Sequence, residues 1–272
     1  MLTPISGAHS IESISLICEF RGEIDGAGLA SIKGEGARLK TKFPLRRVMR
    51  RGRPDSHESQ ASAADVVGYA FLSKAAEKEM TRFEIFQKRA SFTSRAYTNF
   101  ASFFAEAAFT MGIANHAFAQ SGHKIDRIVL TYNDEFIAED IDWPIEEALN
   151  PNTDFVAKAC LQRGEFWHSS IGFFDKRQSE DEHLLHNVKI SHALIMPDDA
   201  TTGDDTELKY ILSLELFHVL KISDSQTDET FLPLLESCTM FLRTEHKIIL
   251  ANLLSEKLRK RIGLSKDDGE IK

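Results

Sequence analysis

Apolar side chains along the chain recur either at every second position or at every third to fourth position. Alternation at every second position predicts β-strands at residues 13–24, 66–73 and 126–137, and a bent strand within 83–96. The stretch 97–113 instead places Phe, Ala and Met at helical spacing, which predicts an amphipathic helix. The first half of the chain is therefore expected to contain several strands and then a helix.

The second half has a simpler pattern. Three longer alternating stretches lie at 164–175, 184–196 and 207–220, and acidic linkers separate them. A helical pattern then runs from about Asp228, which is a good N-cap residue, to about Arg261. The order of strands followed by a helix thus recurs in both halves.

These patterns predict an α+β fold of two antiparallel sheet-plus-helix halves that ends in a long C-terminal helix. The sequence NPNTD breaks the pattern near residue 150 and marks the boundary. Residues 1–150 are expected to form an N-terminal half that contains the basic segment 38–53. Residues 151–272 are expected to form a three-stranded sheet with the long helix. An internal duplication would produce this repeated order, although the halves share no recognisable identity.

Composition narrows the class of protein further. With 42% hydrophobic residues the chain is too apolar for a disordered protein. Its first residues lack the basic and apolar regions of a signal peptide, and no apolar run reaches the roughly 18 residues of a membrane helix. Cys18, Cys160 and Cys238 are widely spaced, which is typical of reduced thiols. We therefore expect a cytoplasmic protein with no membrane partner.

A basic segment interrupts this acidic chain. Residues 38–53 contain eight Lys or Arg and no acidic residue, whereas the whole chain has a net charge of −8. If LRRVMRRG is helical, its four arginines lie near one another and can present forked donors to phosphates. Three interpretations stay open: contact within the chain or with an acidic protein, contact with nucleic acid, and no role. The candidate partner- or anion-binding residues are Arg38, Lys40, Lys42, Arg46, Arg47, Arg50, Arg51 and Arg53.

Three stretches together resemble one protein family. They are IDRIVLTYNDEF, RASFTSRAYTNFASFFAEA and LLESCTMFLRTEHKIILANLLSEKLRKRIGL, which are similar to the central strand, the strand and helix before it, and the closing helix of that family. The family is a sporadically distributed group of bacterial proteins of about this length that carries a number and has no assigned function. The resemblance implies a bacterial cytoplasmic protein of the accessory or defence-associated kind, and it supplies no catalytic residues.

Motifs for enzymatic chemistry are weak. DGAGLAS follows a strand, as a dinucleotide fingerprint does, but Ser31 stands at the third glycine position, so we interpret it as a glycine-rich turn. The sequence has no Walker phosphate loop and no Gly-x-Ser-x-Gly elbow. The carboxylates between Asp134 and Asp142 are interpreted as a solvated acidic loop, and DDATTGDDTE lacks a calcium ligand pattern. No cofactor and no catalytic residue is predicted.

Histidines in the second-half strands are the remaining metal candidates. Three neighbouring strands can bring His168, His192 and His218 to one face, and zinc accepts three such ligands with an open fourth position. No metal-ligand spacing supports this trio. Ordinary histidines in a sheet are therefore the preferred interpretation, and no metal is predicted.

The weak catalytic motifs and the segregated positive charge favour a non-enzymatic binding or assembly protein. We expect it to act through a protein partner, in an accessory or defence-like system. The alternative is a nucleic-acid-binding protein that uses residues 38–53, and steep salt dependence of binding would distinguish it. The second alternative is an enzyme with a histidine metal site on its sheet.

Overall fold

In a computed structural model of the chain, the described residues are 2–5, 9–51, 66–138, 143–163, 166–176, 183–195, 209–222 and 230–264. The strands are β1 (Leu2–Pro4), β2 (Ile11–Phe20), β3 (Leu45–Arg50), β4 (Val66–Ala75), β5 (Lys78–Phe86), β6 (Arg89–Ser94), β7 (Ile125–Ala138), β8 (Trp167–Lys176), β9 (His183–Ile195) and β10 (Lys209–Lys221). The helices are α1 (Gly26–Gly34), α2 (Gly36–Lys42), α3 (Phe100–Gln120), α4 (Lys158–Arg163), α5 (Phe231–Leu253) and α6 (Glu256–Arg261), with a 3₁₀ helix at Ile145–Glu147.

The strands form one antiparallel sheet in the order β3-β4-β5-β6-β2-β7-β10-β9-β8, and β1 pairs with the end of β7. This confirms the predicted α+β class with an antiparallel sheet and a C-terminal helix. Outward from the β2–β7 pair, the first half runs β6, β5, β4 and the second runs β10, β9, β8. Strand β6 therefore pairs with β2, and β10 pairs with β7. Descent of the two halves from a duplication stays a prediction.

Helices α3 and α5 pack on the same face of the sheet, against β2 and β6 and against β7 and β10 respectively. The predicted apolar stripe of α3 is buried there, including Phe103, Ala107 and Met111. Alternating side chains of the strands supply the other side of this core. On the opposite face the strands carry polar, partly exposed residues such as Thr131 and Asn133. We call these the helix-covered face and the open face.

One row of side chains crosses nine strands on the helix-covered face. Register places its members directly opposite one another from β3 to β8, and they are Arg46, Phe71, Phe83, Phe92, Leu16, Leu130, His218, His186 and Phe173. The centre of the row is apolar and fully buried. Its two ends differ, because an arginine lies at the β3 edge and two histidines lie near the β8 edge. An arginine of the basic segment and two strand histidines therefore lie at or near opposite ends of this row.

Two sequence interpretations of local structure were wrong. The stretch 83–96 holds parts of two strands, β5 and β6, because the chain reverses at Gln87, whose φ is +52°. DGAGLAS is the start of helix α1 and not a turn, because the Asp25 side chain accepts hydrogen bonds from the backbone N–H groups of Ala27 and Gly28.

The predicted long C-terminal helix is interrupted once. Helix α5 ends where Leu254 adopts an extended conformation and bridges Leu149. Ser255 then begins α6, since its hydroxyl accepts from the N–H of Leu258 while donating to the carbonyl of Glu147. The predicted start at Asp228 lies outside the described residues, and within them α5 begins at Phe231.

Candidate functional site

The basic segment spans two elements and is not one helix. Arg38, Lys40 and Lys42 belong to α2, and the arginines from 46 to 50 belong to β3. Pro44 explains the change, because the residue before a proline avoids helical geometry and Phe43 accordingly has φ −125° and ψ 86°. The conditional prediction of a helical LRRVMRRG is therefore wrong, and Arg53 lies outside the described residues.

The strand conformation divides the arginines between the two faces of the sheet. Arg46, Val48 and Arg50 point to the helix-covered side, and Arg47 points to the open side. Arg51 follows the strand. The four arginines thus do not form the single cluster that a helix would have made, and the three that belong to β3 lie on both of its faces.

That strand is an edge of the sheet. Among the described residues, β3 pairs only with β4, so its outer backbone groups face away from the sheet. Leu45 and Val48 on this strand are 43% and 40% exposed. Arg and Lys on an edge strand also discourage unwanted pairing with other sheets, which is the simplest structural reason for their presence.

A cavity of about 470 Å³ lies beside the β3 edge, between α1 and strands β3 and β4. Lys33, Arg46 and Arg50 contribute basic groups to its lining, and no acidic residue belongs to the described lining. The Arg46 guanidinium lies 5.9 Å from the centre of the Tyr69 ring. The cavity is therefore electropositive with one aromatic wall, and its guanidinium groups can donate to a carboxylate or a phosphate group.

Part of the basic segment is neutralised within the chain. Arg38 contacts Glu35 at 2.8 Å and Arg51 contacts Glu23 at 3.6 Å, both at exposed positions where ion pairs contribute little to stability. The Arg38 guanidinium also lies 5.3 Å from the centre of the Phe109 ring. The acidic stretch 198–207 of the same chain lies outside the described residues.

The second candidate site is a buried row of three histidines, His186 of β9, His218 of β10 and His246 of α5, which we call the histidine row. His186 Nδ1 and His218 Nδ1 are 2.8 Å apart, and His218 Nε2 and His246 Nδ1 are 3.4 Å apart. The first two residues are opposite each other in the β9–β10 register. The third comes from the helix above them, where its ring stacks on Tyr132 at 3.7 Å.

Carboxylates lie at both ends of the histidine row. At one end, Asp134 Oδ2 is 3.9 Å from His246 Nε2, and Asp134 Oδ1 accepts a 2.6 Å hydrogen bond from Ser10. At the other end, His186 Nε2 is 3.3 Å from Asp175 Oδ2 and 3.9 Å from Glu245 Oε2. Asp134 is 1% exposed, whereas the Asp175 side chain is 56% exposed. The row therefore runs from a buried carboxylate to one that reaches solvent.

Burial dominates the electrostatics of the histidine row. It lowers the pKa of His218 to about 3, with a smaller contribution from His186. It also holds the pKa of His246 well below the usual value, assisted by His218, Lys247 and Arg243. Burial raises the pKa of Asp134 to about 6, although the hydrogen bond from Ser10 acts in the opposite direction. His218 and His246 are consequently neutral near pH 7, with one N–H each.

The candidate histidines His168, His192 and His218, which the sequence analysis did not favour as a metal site, are not brought together. His168 points to the open face, where it lines a different cavity with Lys189 and Ser213. His192 shares the helix-covered face with His218, but it lies opposite Leu212, six positions along β10 from His218. The structure therefore does not join these three candidates, and it groups His218 with His186 and His246 instead.

The interpretation of the acidic stretch after residue 133 also needs correction. Strand β7 continues to Ala138, and alternation turns Asp134 onto the helix-covered face. Asp134 is therefore buried, and Glu135 is partly buried within the same strand. Residues 139–142, like the DDATTGDDTE stretch, lie outside the described residues.

No family model matches the chain, and no curated protein matches it either. The family resemblance therefore stays a prediction. Within the described ranges, no helix is both long enough and apolar enough to cross a membrane.

Proposed function

We propose that the chain is a non-enzymatic bacterial binding protein that engages an acidic segment of a protein partner at the β3 edge. The observation that carries this proposal is the combination of an edge strand, arginines on both of its faces and an adjoining electropositive cavity. An extended peptide can add to such an edge as a new strand, so that backbone hydrogen bonds supply affinity and side-chain pockets supply specificity.

The geometry of β3 fixes where the acidic residues of an added strand would lie. Arg46 and Arg50 are four positions apart on the helix-covered side, beside the cavity and Lys33. Two carboxylates spaced by four residues in the added strand would face these arginines, and a third, at an intervening position of opposite parity, would face Arg47. Exposed Val48 between Arg46 and Arg50, and exposed Leu45 before Arg46, offer apolar contacts. This pattern favours an acidic strand with alternating apolar residues.

Pull-down from native bacterial lysate tests the proposal, with and without nuclease. The bait is the full chain or a variant with Arg46, Arg47, Arg50 and Arg51 changed to Ala. A matched control removes the same charge from exposed hairpin positions, through Ala at Lys74, Lys78, Lys88 and Arg89. We expect a protein that the wild type and the control retain and the arginine variant loses, whatever the nuclease treatment.

A photoreactive residue at Val48 locates the contact directly. We expect it to cross-link the captured protein within an acidic segment, since Val48 lies between Arg46 and Arg50 on β3. Equal retention by the arginine variant, or a cross-link only from other surfaces, would contradict the proposal.

The same experiment separates the nucleic-acid alternative. If DNA or RNA is retained and nuclease removes it, the arginines contact phosphates, and the logarithm of the binding constant should fall with the logarithm of salt concentration by about 0.7 to 0.9 per phosphate. Aromatic side chains for stacking bases are few here, with Tyr69 beside Arg46 and Phe109 beside Arg38. Binding to a protein partner is therefore the function that we favour.

A further inference from the structure

Three possible metal ligands converge at the solvent end of the histidine row. Asp175 of edge strand β8, His186 of β9 and Glu245 of α5 each offer one ligand atom, and these atoms all lie within 4.8 Å of one another. Asp175 and His186 lie on the paired strands β8 and β9, and Glu245 lies 59 residues after His186 in the sequence. We propose that Asp175, His186 and Glu245 bind a divalent transition metal ion of the zinc class.

The distances between the ligand atoms fit a bound ion. Zinc binds His nitrogen and carboxylate oxygen at about 2.0 to 2.2 Å, so adjacent ligand atoms in a tetrahedral or octahedral site lie roughly 3.0 to 3.5 Å apart. The 3.3 Å from His186 Nε2 to Asp175 Oδ2 falls in this range, and the 3.9 Å from His186 Nε2 to Glu245 Oε2 is slightly longer. The third pair, the Asp175 and Glu245 oxygens, lies within 4.8 Å.

The histidine row orients the imidazole of His186 as a metal ligand requires. A ligating histidine usually has its other ring nitrogen held by a hydrogen bond, which fixes the tautomer. Here His186 Nδ1 is 2.8 Å from His218 Nδ1, and Nε2 consequently faces the two carboxylates. Suppose that each ring donates its N–H to the next group in the direction of Asp134. His186 then donates through Nδ1 to His218, and His218 donates through Nε2 to His246. The acceptor nitrogen of His186 is then Nε2, the atom that binds a metal.

Charge and burial support the same conclusion. His186 is fully buried, and the Glu245 and Asp175 side chains, which are 14% and 56% exposed, place two carboxylates beside its Nε2. A divalent cation between them balances their two charges. The exposed side chain of Asp175 provides the route from solvent, because β8 is an edge strand.

Nitrogen and oxygen ligands together favour a transition metal over calcium or magnesium, which prefer oxygen alone. Three protein ligands leave at least one coordination position for water or for a group of another molecule. A bound ion would also link β8, β9 and α5 at one point. The site therefore adds a metal-dependent connection between the β8 edge of the sheet and the helix layer. It lies at the opposite end of the sheet from the β3 edge.

The test uses the purified full chain after treatment with a chelator and desalting. Isothermal titration with Zn²⁺ measures stoichiometry and affinity, visible absorption of added Co²⁺ reports the coordination geometry, and thermal unfolding reports stabilisation by the ion. We expect one ion per chain and a higher Tm with Zn²⁺. We also expect Asp175→Asn and Glu245→Gln to weaken binding at least tenfold and to remove most of the Tm increase.

Two matched controls keep the result specific, and both lie on the open face. Glu215→Gln removes a carboxylate that pairs with Lys189, and His168→Ala removes an exposed histidine of β8. Both should bind Zn²⁺ as the wild type does. Asp175→Asn replaces a largely exposed side chain, so it tests the ligand even if His186 variants fail to fold. Absence of stoichiometric binding, or binding that survives both carboxylate changes, would overturn the proposal.

Discussion

The buried carboxylate of Asp134 makes the stability of the protein depend on pH in a way that a single substitution tests. Asp134 is 1% exposed, with Ser10 donating to one oxygen and His246 near the other. Its folded-state pKa of about 6 exceeds the usual 3.8. Because that pKa is raised, the carboxyl group contributes stability below about pH 4, and this contribution is lost as pH rises through about 6.

The size of this pH-dependent contribution to the free energy of unfolding follows from the shift in the pKa of Asp134. Two pH units at about 1.4 kcal/mol each correspond to about 3 kcal/mol between the acidic and neutral ranges. Asp134→Asn removes the ionisable group but keeps an oxygen that can accept from Ser10. We therefore expect the variant to raise the free energy of unfolding by up to about 3 kcal/mol at pH 8, and to have little effect near pH 4.

Urea unfolding of wild type and variant at pH 4, 6 and 8 measures this difference. The matched control is Asp126→Asn, which changes a solvent-accessible carboxylate on the same strand. The control should leave the pH dependence close to that of the wild type. If Asp134→Asn destabilises the protein equally at all three pH values, the carboxylate is a required hydrogen-bond acceptor and the reasoning from its burial is wrong.

Three further outcomes follow from packing. Gly28→Ala should lower the free energy of unfolding by about 1 to 3 kcal/mol in urea titration despite the better helix propensity of Ala, because a Cβ there would lie 2.7 Å from the Ala117 carbonyl oxygen. Phe92→Ala should cost about 3 to 5 kcal/mol in the same assay, because its fully buried ring leaves a cavity. A thiol reagent should modify partly exposed Cys160 in the folded protein but Cys18 only after unfolding, because burial raises the pKa of the Cys18 thiol.

Long periodic segments were predictable from the sequence because one face of each is buried along its whole length. Helix α3 and strands β7 and β10 are of this kind. Helix α1 was missed because its glycines imitate a turn, whereas Gly28 is needed for close packing on α3. The β5–β6 hairpin was missed because Gln87 takes a positive φ without the usual glycine or asparagine.

The candidate sites required information that a sequence pattern does not contain. The pairing of His186 with His218 depends on the register of β9 against β10, and a shift of one residue would turn one of them to the open face. His246 and Glu245 join them from a helix that begins after the last strand. Composition did locate the concentration of arginines, but only the strand conformation after Pro44 distributes them over two faces.

Strand β7 has neighbours that are made at very different times. Its partner β2 leaves the ribosome first, but Lys209 of β10 follows Ala138 by 71 residues. At about 5 to 20 residues per second, the nascent chain needs roughly four to fourteen seconds to supply that partner. For this interval one edge of a 14-residue strand is unpaired. We therefore expect the risk of aggregation through this edge to be highest before β10 has been made.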